Sequence, residues 1–149
     1  MRTISHLDLD CFFVSCERIK NPSLAGKPVV VGGSAKARGV VSSASYEARK
    51  FGIHSAMPIA RAQKLCPHAA FLPTDFDCYT DYSKRVRRFL KEGAPVVEQA
   101  SIDEFYLDLT GCERLYPDWV SFGMLAKTYL SKNLKLPSSI AIATSKIVS

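Results

Sequence analysis

Acidic residues interrupt apolar sequence in two stretches of the chain. Asp8 and Asp10 lie within HLDLDCFF, and Asp103 and Glu104 lie side by side within QASIDEFYLDLTG. An isolated carboxylate is costly to remove from water, so acids among buried residues need a compensating charge. Carboxylate oxygens suit hard, octahedral ions such as Mg²⁺ or Mn²⁺, and two such ions about 3.5 to 4 Å apart are usual for in-line phosphoryl and nucleotidyl transfer. The sequence predicts this chemistry if the acids converge.

The hydrophobic pattern indicates which elements would position these acids. Alternation and short apolar runs predict strands over residues 3–9, 28–31, 39–43, 96–101, 105–109 and 139–143. Helical spacing, with glycine and proline stops, predicts helices over residues 11–20, 45–51, 58–66, 74–93 and 119–134. Thr74 and Asp118 are the expected N-caps of the last two helices.

The order of these elements predicts an α+β fold. With residues 10–74 set aside, the order is β-α-β-β-α-β, the ferredoxin-like arrangement, with a small basic α/β lobe inserted after the first strand. The first and third strands of such a sheet are antiparallel neighbours. Asp8 closes the first strand, and Asp103 and Glu104 open the third, so the three carboxylates are expected to converge at one edge of the sheet. Spacing alone leaves open a polar hairpin turn with Asp8 as an N-cap.

The charge is distributed unevenly along the chain. Residues 1–74 carry ten Lys/Arg against four Asp/Glu, a net +6, whereas residues 75–149 carry ten of each. A basic first half suggests a polyanionic partner such as nucleic acid or a nucleoside triphosphate, although solubility alone accounts for it equally well. The basic face of the predicted helix over residues 74–93 is interpreted as a solvated surface rather than a DNA contact. Its members are Lys84, Arg85, Arg87, Arg88 and Lys91.

Composition excludes several other classes of protein. The hydrophobic fraction of 47% and the charged fraction of 23% are those of an ordinary globular protein. No apolar run reaches the roughly 20 residues of a membrane helix, and no signal peptide is recognised, so a cytoplasmic protein is expected. The five cysteines form no CxxC pair and the three histidines are scattered, which argues against a disulfide framework and a zinc site.

Four ordered motifs carry a resemblance to a known family. DLDCFFVSCE, NPSLAGKPVVVGG, GVVSSASYEARKFGIHSAMPIARAQKLCP and ASIDEFYLDLTG together resemble the Y-family, lesion-bypass DNA polymerases, most closely the DNA polymerase IV type. The resemblance implies template-directed translesion synthesis, with transfer of a nucleotide from a dNTP to a primer 3′-hydroxyl. It also implies two Mg²⁺ ions, replaceable by Mn²⁺, with Asp8, Asp103, Glu104 and the Leu9 backbone carbonyl as ligands.

The resemblance further assigns residues to the incoming nucleotide. Tyr46 and Arg49 are expected to grip the triphosphate, with Ser43 as a hydroxyl donor, although core packing of Tyr46 is an alternative. Phe13 matches the aromatic steric gate against a ribose 2′-hydroxyl, while Phe12 is expected in the core. Positions that roof the nascent base pair fall on Gly33, Val40, Ser42 and Ala56.

The resemblance also implies a domain organisation. Residues 1–12 would form the first strand of the palm, residues 13–74 the fingers, and residues 75–149 the rest of a palm that stops short of its C-terminal end. The thumb and little-finger domains of the family are absent from this sequence, so a fragment with little or no activity is expected. The partners would be primer-template DNA and a dNTP, bound by a monomer, with any sliding-clamp contact in the missing C-terminal part.

Three other functions remain open at the level of sequence. A nucleotidyl cyclase can use two metal ions on a similar sheet, and would release a cyclic product. A nucleic-acid-binding ferredoxin-like module would present aromatic residues to single-stranded bases, although the strands lack the typical Lys/Arg-Gly-aromatic run. A non-catalytic relative retained for protein interactions is the third, and the presence of all three acids argues against it.

Overall fold

The computed structural model of the chain describes residues 3–32, 39–112, 115–116 and 118–143. The contacts divide the chain into two compact units, unit 1 (residues 1–10 and 79–149) and unit 2 (residues 11–78). The predicted palm and fingers boundaries, at residues 12/13 and 74/75, remain a prediction.

The elements are, in chain order, β1 (Ile4–Leu9), α1 (Phe12–Lys20), a 3₁₀ turn (Pro22–Leu24), β2 (Val29–Val31), β3 (Ser43–Ala44), α2 (Tyr46–Arg49), α3 (Ile59–Leu65), β4 (Ala70–Leu72), α4 (Phe76–Gly93), β5 (Val96–Ser101), β6 (Glu104–Asp108), α5 (Trp119–Asn133) and β7 (Ser138–Ala143).

Unit 1 contains a four-stranded antiparallel sheet with the strand order β5-β6-β1-β7. The first strand of the chain therefore lies between β6 and β7 and is antiparallel to both. Because β5 and β1 are joined through a helix and separated by β6, this is the split β-α-β arrangement of the ferredoxin-like fold. The predicted α+β class, with a small α/β lobe inserted after the first strand, is confirmed.

Helices α4 and α5 pack side by side in unit 1. The rings of Phe89 and Tyr129 stack in parallel with centroids 3.8 Å apart. The Ser83 hydroxyl on α4 donates to the carbonyl of Ile102 at 2.6 Å, which ties α4 to the connection between β5 and β6. Leu7 and Phe105 are fully buried. Each large apolar side chain removed from water in this way contributes about 1.5 to 3 kcal/mol to folding.

The helix caps show where local sequence determines the fold. Asp118 is the N-cap of α5, and its carboxylate accepts from the Ser121 backbone N–H at 2.6 Å, as predicted. The prediction of Thr74 as the N-cap of α4 is wrong. The helix begins at Phe76, and the preceding Asp75 accepts from the Cys78 N–H at 3.2 Å. A carboxylate one residue closer to the helix competes successfully with a threonine hydroxyl for the same orphan donors.

Unit 2 contains a three-stranded sheet with the order β3-β2-β4, in which β2 is parallel to β4 and antiparallel to β3. The predicted strand over residues 39–43 is wrong. That segment forms a single bridge between Val40 and Pro58 and then the two-residue strand β3. The helices of the unit cover a buried apolar cluster that includes Val30, Ala48 and Ile59. None of the helices in the described part of the chain combines the length and apolar character needed to cross a membrane.

Gly32 allows the close approach of two segments in unit 2. It has φ of +154°, and a β-carbon at this position would lie 2.4 Å from the carbonyl oxygen of Val40. We expect Gly32→Ala to lower the free energy of unfolding by about 2 to 3 kcal/mol, because the backbone would have to move to relieve the clash. Urea denaturation of residues 1–149 measures this loss.

Gly26→Ala is the matched control for this prediction. Gly26 also has a positive φ, +74°, but its added β-carbon would meet no heavy atom within 4 Å. This variant carries only the cost of the left-handed backbone, about 1 kcal/mol. Equal losses in the two variants would contradict the assignment of Gly32 to a close-approach role.

Candidate metal centre

Strand pairing brings together acids that are far apart in sequence. Asp8 near the end of β1 lies directly opposite Glu104 at the start of β6. The Leu9 N–H donates to the Asp103 carbonyl at 2.9 Å, which holds the turn before β6 against β1. One carboxylate oxygen from each of Asp8, Asp103 and Glu104 can be chosen so that all three lie within 4.8 Å of one another. The predicted convergence of the three acids is therefore observed, and Asp8 belongs to a strand rather than to a helix N-cap.

Alternation along β1 explains why Asp8 is available at the surface of the sheet. Leu7 and Leu9 are buried, and Asp8 between them is only partly buried. Because successive side chains of a strand point to opposite faces, the two leucines fix Asp8 on the other face. A slip of one residue in the pairing would exchange these faces, so burial of the leucines maintains the acid cluster.

Hydrogen bonds orient Asp103 within the cluster. The Ser101 hydroxyl donates to Asp103 Oδ1 at 2.9 Å. The register of β5 shifts between Gln99 and Ser101, and Gln99 Nε2 donates both to the Ser101 carbonyl at 3.0 Å and to the Ser83 hydroxyl at 2.9 Å. Sequence reasoning missed Ser101. No periodic or compositional signal could have identified it, because the contact depends on the register of β5.

Asp10 has a different environment from the other acids. Its Oδ1 accepts from the Ser139 hydroxyl at 2.9 Å. Asp10 is also absent from the group of carboxylates that could share one ion. Asp10 is therefore not among the candidate metal ligands.

The cluster raises the pKa of Asp8 above the ordinary value for an aspartate. Desolvation by burial is the largest cause, followed by repulsion from Asp103 and Glu104, while His6 acts in the opposite direction. Burial and like charges both disfavour the ionised form. A divalent cation would reverse this penalty, and a donor set made only of carboxylate oxygens fits a hard cation rather than zinc. The residues present therefore fit the divalent metal that the sequence predicted.

The pKa of Asp8 leads to a prediction for the metal-free protein. A raised pKa in the folded state means that stability is fully present below the ordinary aspartate pKa and is lost as the pH rises through the Asp8 pKa. Asp8→Asn in EDTA at pH 7 is therefore expected to raise Tm. The increase should be at most about 2 to 4 °C, because solvent screens the repulsion between partly exposed carboxylates. The difference should disappear in acid, which thermal unfolding across a pH series measures.

Asp108→Asn is a suitable control because Asp108 lies on β6 outside the cluster. Its Oδ1 accepts from the Thr110 N–H at 3.0 Å, a bond that an asparagine oxygen can also accept. The control removes the same charge from the neighbouring strand of the same sheet. A Tm gain equal to that of Asp8→Asn would show that net charge, rather than repulsion within the cluster, causes the effect.

The residues that the resemblance assigns to the triphosphate lie in unit 2. Tyr46 is 56% exposed, which excludes the alternative that it packs in the core. Arg49 lies one turn later on α2, with its Cζ 5.1 Å from the centre of the Tyr46 ring. Ser43 is buried in β3. Tyr46 and Arg49 thus form an exposed pair, whose role in nucleotide binding stays a prediction.

The remaining predicted residues of unit 2 fall into two groups. Phe12 is buried, as expected, while Phe13 is partly exposed and packs edge-to-face against Phe76 with ring centroids 5.7 Å apart. Val40, Ser42 and Ala56 are exposed. The N–H of Ala56 donates to the Val41 carbonyl at 2.9 Å. The segment of Ala56 therefore lies against the segment that contains Val40 and Ser42. Gly33, the fourth predicted roof position, lies outside the described residues.

Comparison with known proteins identifies the family of the chain. The model of the impB/mucB/samB family matches residues 7–149. The chain is 43% identical over 148 residues to a DNA polymerase IV of Dehalococcoides mccartyi, covering 99% of this chain and 38% of the relative. It is 44% identical over 143 residues to a DNA polymerase IV of Treponema denticola, covering 96% of this chain and 36% of the relative.

Solved structures give the same result at the level of the fold. A crystal structure of DinB from Sulfolobus solfataricus matches with a TM-score of 0.91 and 32% identity, over 99% of this chain and 43% of that one. A post-insertion binary complex of Dbh DNA polymerase matches with a TM-score of 0.92 and 32% identity, over the same shares of the two chains. The chain thus spans well under half the length of these relatives. It belongs to the impB/mucB/samB family, the Y-family of DNA polymerases.

Proposed function

We propose that this chain provides the catalytic carboxylates of template-directed translesion DNA synthesis, in which a dNTP is joined to a primer 3′-hydroxyl and pyrophosphate leaves. The observation that carries the proposal is the approach of Asp8, Asp103 and Glu104, whose ligand atoms lie within 4.8 Å of one another. The family to which the chain belongs supports the same chemistry. The relatives with which the chain aligns are DNA polymerase IV proteins.

The acids would hold two Mg²⁺ ions, which Mn²⁺ can replace. Asp8, Asp103 and Glu104 would bind through their carboxylates, and Leu9 through its backbone carbonyl. When bound, such ions lower the pKa of the attacking hydroxyl and neutralise charge on the reacting phosphates. The Ser101 hydroxyl keeps one oxygen of Asp103 oriented by a 2.9 Å hydrogen bond. Burial of Leu7 and Leu9 keeps Asp8 on the metal-binding face.

The nucleotide would be bound by residues of unit 2. The Arg49 guanidinium can donate two parallel hydrogen bonds to phosphate oxygens, and its position over the Tyr46 ring restricts its motion. Ser43 would add a hydroxyl donor. Phe13 would exclude a ribose 2′-hydroxyl, and its ring is held by the edge-to-face contact with Phe76. Gly33, Val40, Ser42 and Ala56 would leave a loose roof over the nascent base pair.

Paramagnetic broadening by Mn²⁺ tests the proposed metal centre directly. In amide NMR spectra of residues 1–149, substoichiometric Mn²⁺ should first broaden the signals of Leu9, Asp103 and Glu104. Signals at the opposite end of the sheet, such as that of Thr110 beside Thr3, should remain sharp at the same concentration. Broadening centred elsewhere, or uniform broadening of the spectrum, would refute the site.

A polypeptide of residues 1–149 alone is expected to extend primers weakly or not at all. Duplex affinity depends on many phosphate contacts, and this chain covers 38% of the length of a DNA polymerase IV relative. The contacts that the thumb and little-finger domains provide in this family would be missing, as would a sliding-clamp site in that part. We propose a cytoplasmic, monomeric polypeptide that needs those domains for synthesis. Processive primer extension by residues 1–149 in a gel assay would contradict this expectation.

A further inference from the structure

Helix α2 is too short to hold its own position. It has only four residues, Tyr46–Arg49, and isolated helices shorter than about 12 to 15 residues are marginal in water. Ala48 is its one buried residue, whereas Tyr46 and Arg49 are exposed. The orientation of these two exposed side chains therefore depends on the contacts that the rest of unit 2 makes with α2.

Ser45 and Glu47 anchor α2 to neighbouring segments. The Ser45 hydroxyl accepts from the Ala48 N–H at 3.1 Å and from the Val29 N–H at 2.9 Å, which caps the helix and ties its start to β2. Glu47 Oε1 lies 2.8 Å from Nη2 of Arg18 on α1. A cap acts at the end of a helix, whereas an ion pair acts from its side. The pair with Arg18 is therefore suited to oppose rotation of α2 about its axis.

The Arg18 guanidinium is also held by the backbone. Its Nε donates to the Leu24 carbonyl at 3.3 Å, and its Nη2 donates to the Lys27 carbonyl at 2.8 Å. The hydrogen bond from Arg18 is the main reason that the pKa of Glu47 lies below its ordinary value. Charge-assisted bonds from a planar guanidinium are strong and directional. Arg18 thus joins α1, the segment before β2, and α2 at one point.

The two arginines at this place in unit 2 have different surroundings. Arg18 is paired with Glu47, whereas Arg49 takes part in no ion pair within the ranges that the structure describes. The Arg49 Cζ lies 5.1 Å from the centre of the Tyr46 ring. A rotation of α2 would displace both of these exposed side chains together. Displacement by about 1 Å of groups that position a substrate can cost up to about 100-fold in rate.

We propose that Arg18 is a positioning residue for the incoming nucleotide. Its ion pair with Glu47 fixes the orientation of α2, and so sets where Tyr46 and Arg49 meet the triphosphate. Arg18 itself does not touch the nucleotide. This inference rests on the proposed function, which assigns Tyr46 and Arg49 to the triphosphate.

Single-nucleotide insertion kinetics test the proposal in a polymerase that joins this chain to the remaining domains of its relatives. Arg18→Met keeps the aliphatic stem and removes the donors. It should raise KM for the dNTP about 3- to 10-fold, the cost of ordering the freed side chains at each binding event. The value of kcat should change less than ~2-fold, because α2 would bind the triphosphate without supplying a reacting group. An unchanged KM overturns the proposal.

A double-mutant cycle shows whether Arg18 acts through Glu47. Glu47→Ala should raise KM by a factor similar to that of Arg18→Met. The double variant should be no worse than Arg18→Met alone, because either single change already breaks the ion pair. Factors that multiply in the double variant would show that the two residues act separately, which overturns the proposal.

Lys20→Met is the matched control for loss of an ion pair from α1. Lys20 Nζ lies 2.8 Å from Asp75 Oδ2, so this pair has the same length as that of Arg18 but does not involve α2. The control should leave KM within ~2-fold. An increase equal to that of Arg18→Met would indicate a general disturbance of unit 2 and overturns the proposal.

Two further measurements separate this proposal from the proposed function. Arg49→Met tests the assignment of α2 to the triphosphate: if it raises KM and Arg18→Met does not, only the role of Arg18 is wrong, and if neither raises KM, both proposals are wrong. Amide hydrogen exchange of residues 1–149 needs no nucleotide. In Arg18→Met, the Arg49 N–H, which donates to the Ser45 carbonyl at 2.9 Å, should exchange about 3- to 10-fold faster. The Gly32 N–H, which donates to the Leu72 carbonyl at 2.9 Å, should be unchanged. Equal exchange of the Arg49 N–H in both chains overturns the proposal.

Discussion

Asp103→Asn is expected to lower the affinity of residues 1–149 for Mn²⁺ by about 100-fold or more. Loss of a partner that merely orients a metal ligand costs 10- to 100-fold in affinity, and Asp103 is proposed as a ligand itself. Asparagine has nearly the same shape as aspartate. Its side-chain oxygen can still accept from the Ser101 hydroxyl, which in the unchanged chain lies 2.9 Å from Asp103 Oδ1. Free Mn²⁺ counted by electron paramagnetic resonance during a titration measures the change.

Two controls make this result specific to the cluster. Asp108→Asn removes a carboxylate from the far end of β6, outside the group that could share an ion, and should leave Mn²⁺ affinity within ~2-fold. Thermal unfolding in EDTA should show that Asp103→Asn is folded. If Asp103→Asn binds Mn²⁺ as tightly as the unchanged chain, the proposed metal centre is wrong.

Phe13→Ala is expected to reduce discrimination against ribonucleotides by roughly 10- to 100-fold in a polymerase that joins this chain to the remaining domains of its relatives. The estimate follows from the 1 to 3 kcal/mol that overpacking a rigid site costs, which the smaller side chain would relieve. The ring is well placed to be rigid, because it packs against Phe76 with centroids 5.7 Å apart. The ratio of kcat/KM for dNTP and rNTP insertion measures the effect.

Phe13→Tyr is the conservative comparison for the sugar-selectivity prediction. It keeps an aromatic ring at the same position, so discrimination should be retained while the packing against Phe76 is preserved. Unchanged sugar discrimination in Phe13→Ala would refute the steric-gate role. Equal loss in both variants would indicate a general disturbance of unit 2 rather than relief of a collision.

The architecture of unit 1 was predictable because its signals are local and mutually consistent. Asp118 caps α5 as predicted, and α4 follows a clear apolar stripe in which Tyr79, Val86 and Leu90 are buried. Once two helices and four strands are placed, the β-α-β-β-α-β order leaves few compact arrangements. The convergence of Asp8 with Asp103 and Glu104 then follows from topology, although about 95 residues separate them in sequence.

The errors of prediction concentrate in unit 2 and have physical causes. Its strands are two or three residues long, too short for alternation to be detected, and β4 (Ala70–Leu72) was not predicted at all. The predicted strand over residues 39–43 was replaced by one bridge and a short strand, because these residues pair with partners on different segments. Such pairings depend on tertiary contacts, which override local preference.

Hydrogen-bonded support of the site was the least predictable feature. The Ser139 hydroxyl reaches Asp10 across 129 positions of sequence, through the pairing of β1 with β7. The Ser101 hydroxyl reaches Asp103 because β5 changes register just before its end. Neither contact leaves a periodic or compositional signal, since each depends on strand register at the level of a single residue.

Unit 2 is a single segment, residues 11–78, and its two ends lie close together. Phe13, near its start, touches Phe76, near its end, and Lys20 Nζ lies 2.8 Å from Asp75 Oδ2. Segments whose ends lie close together are the ones that proteins accept as insertions. Residues 11–78 therefore have the geometry of an inserted domain. Evolution or an experimenter could exchange residues 11–78 between members of this family while β1 and β6 stay as they are.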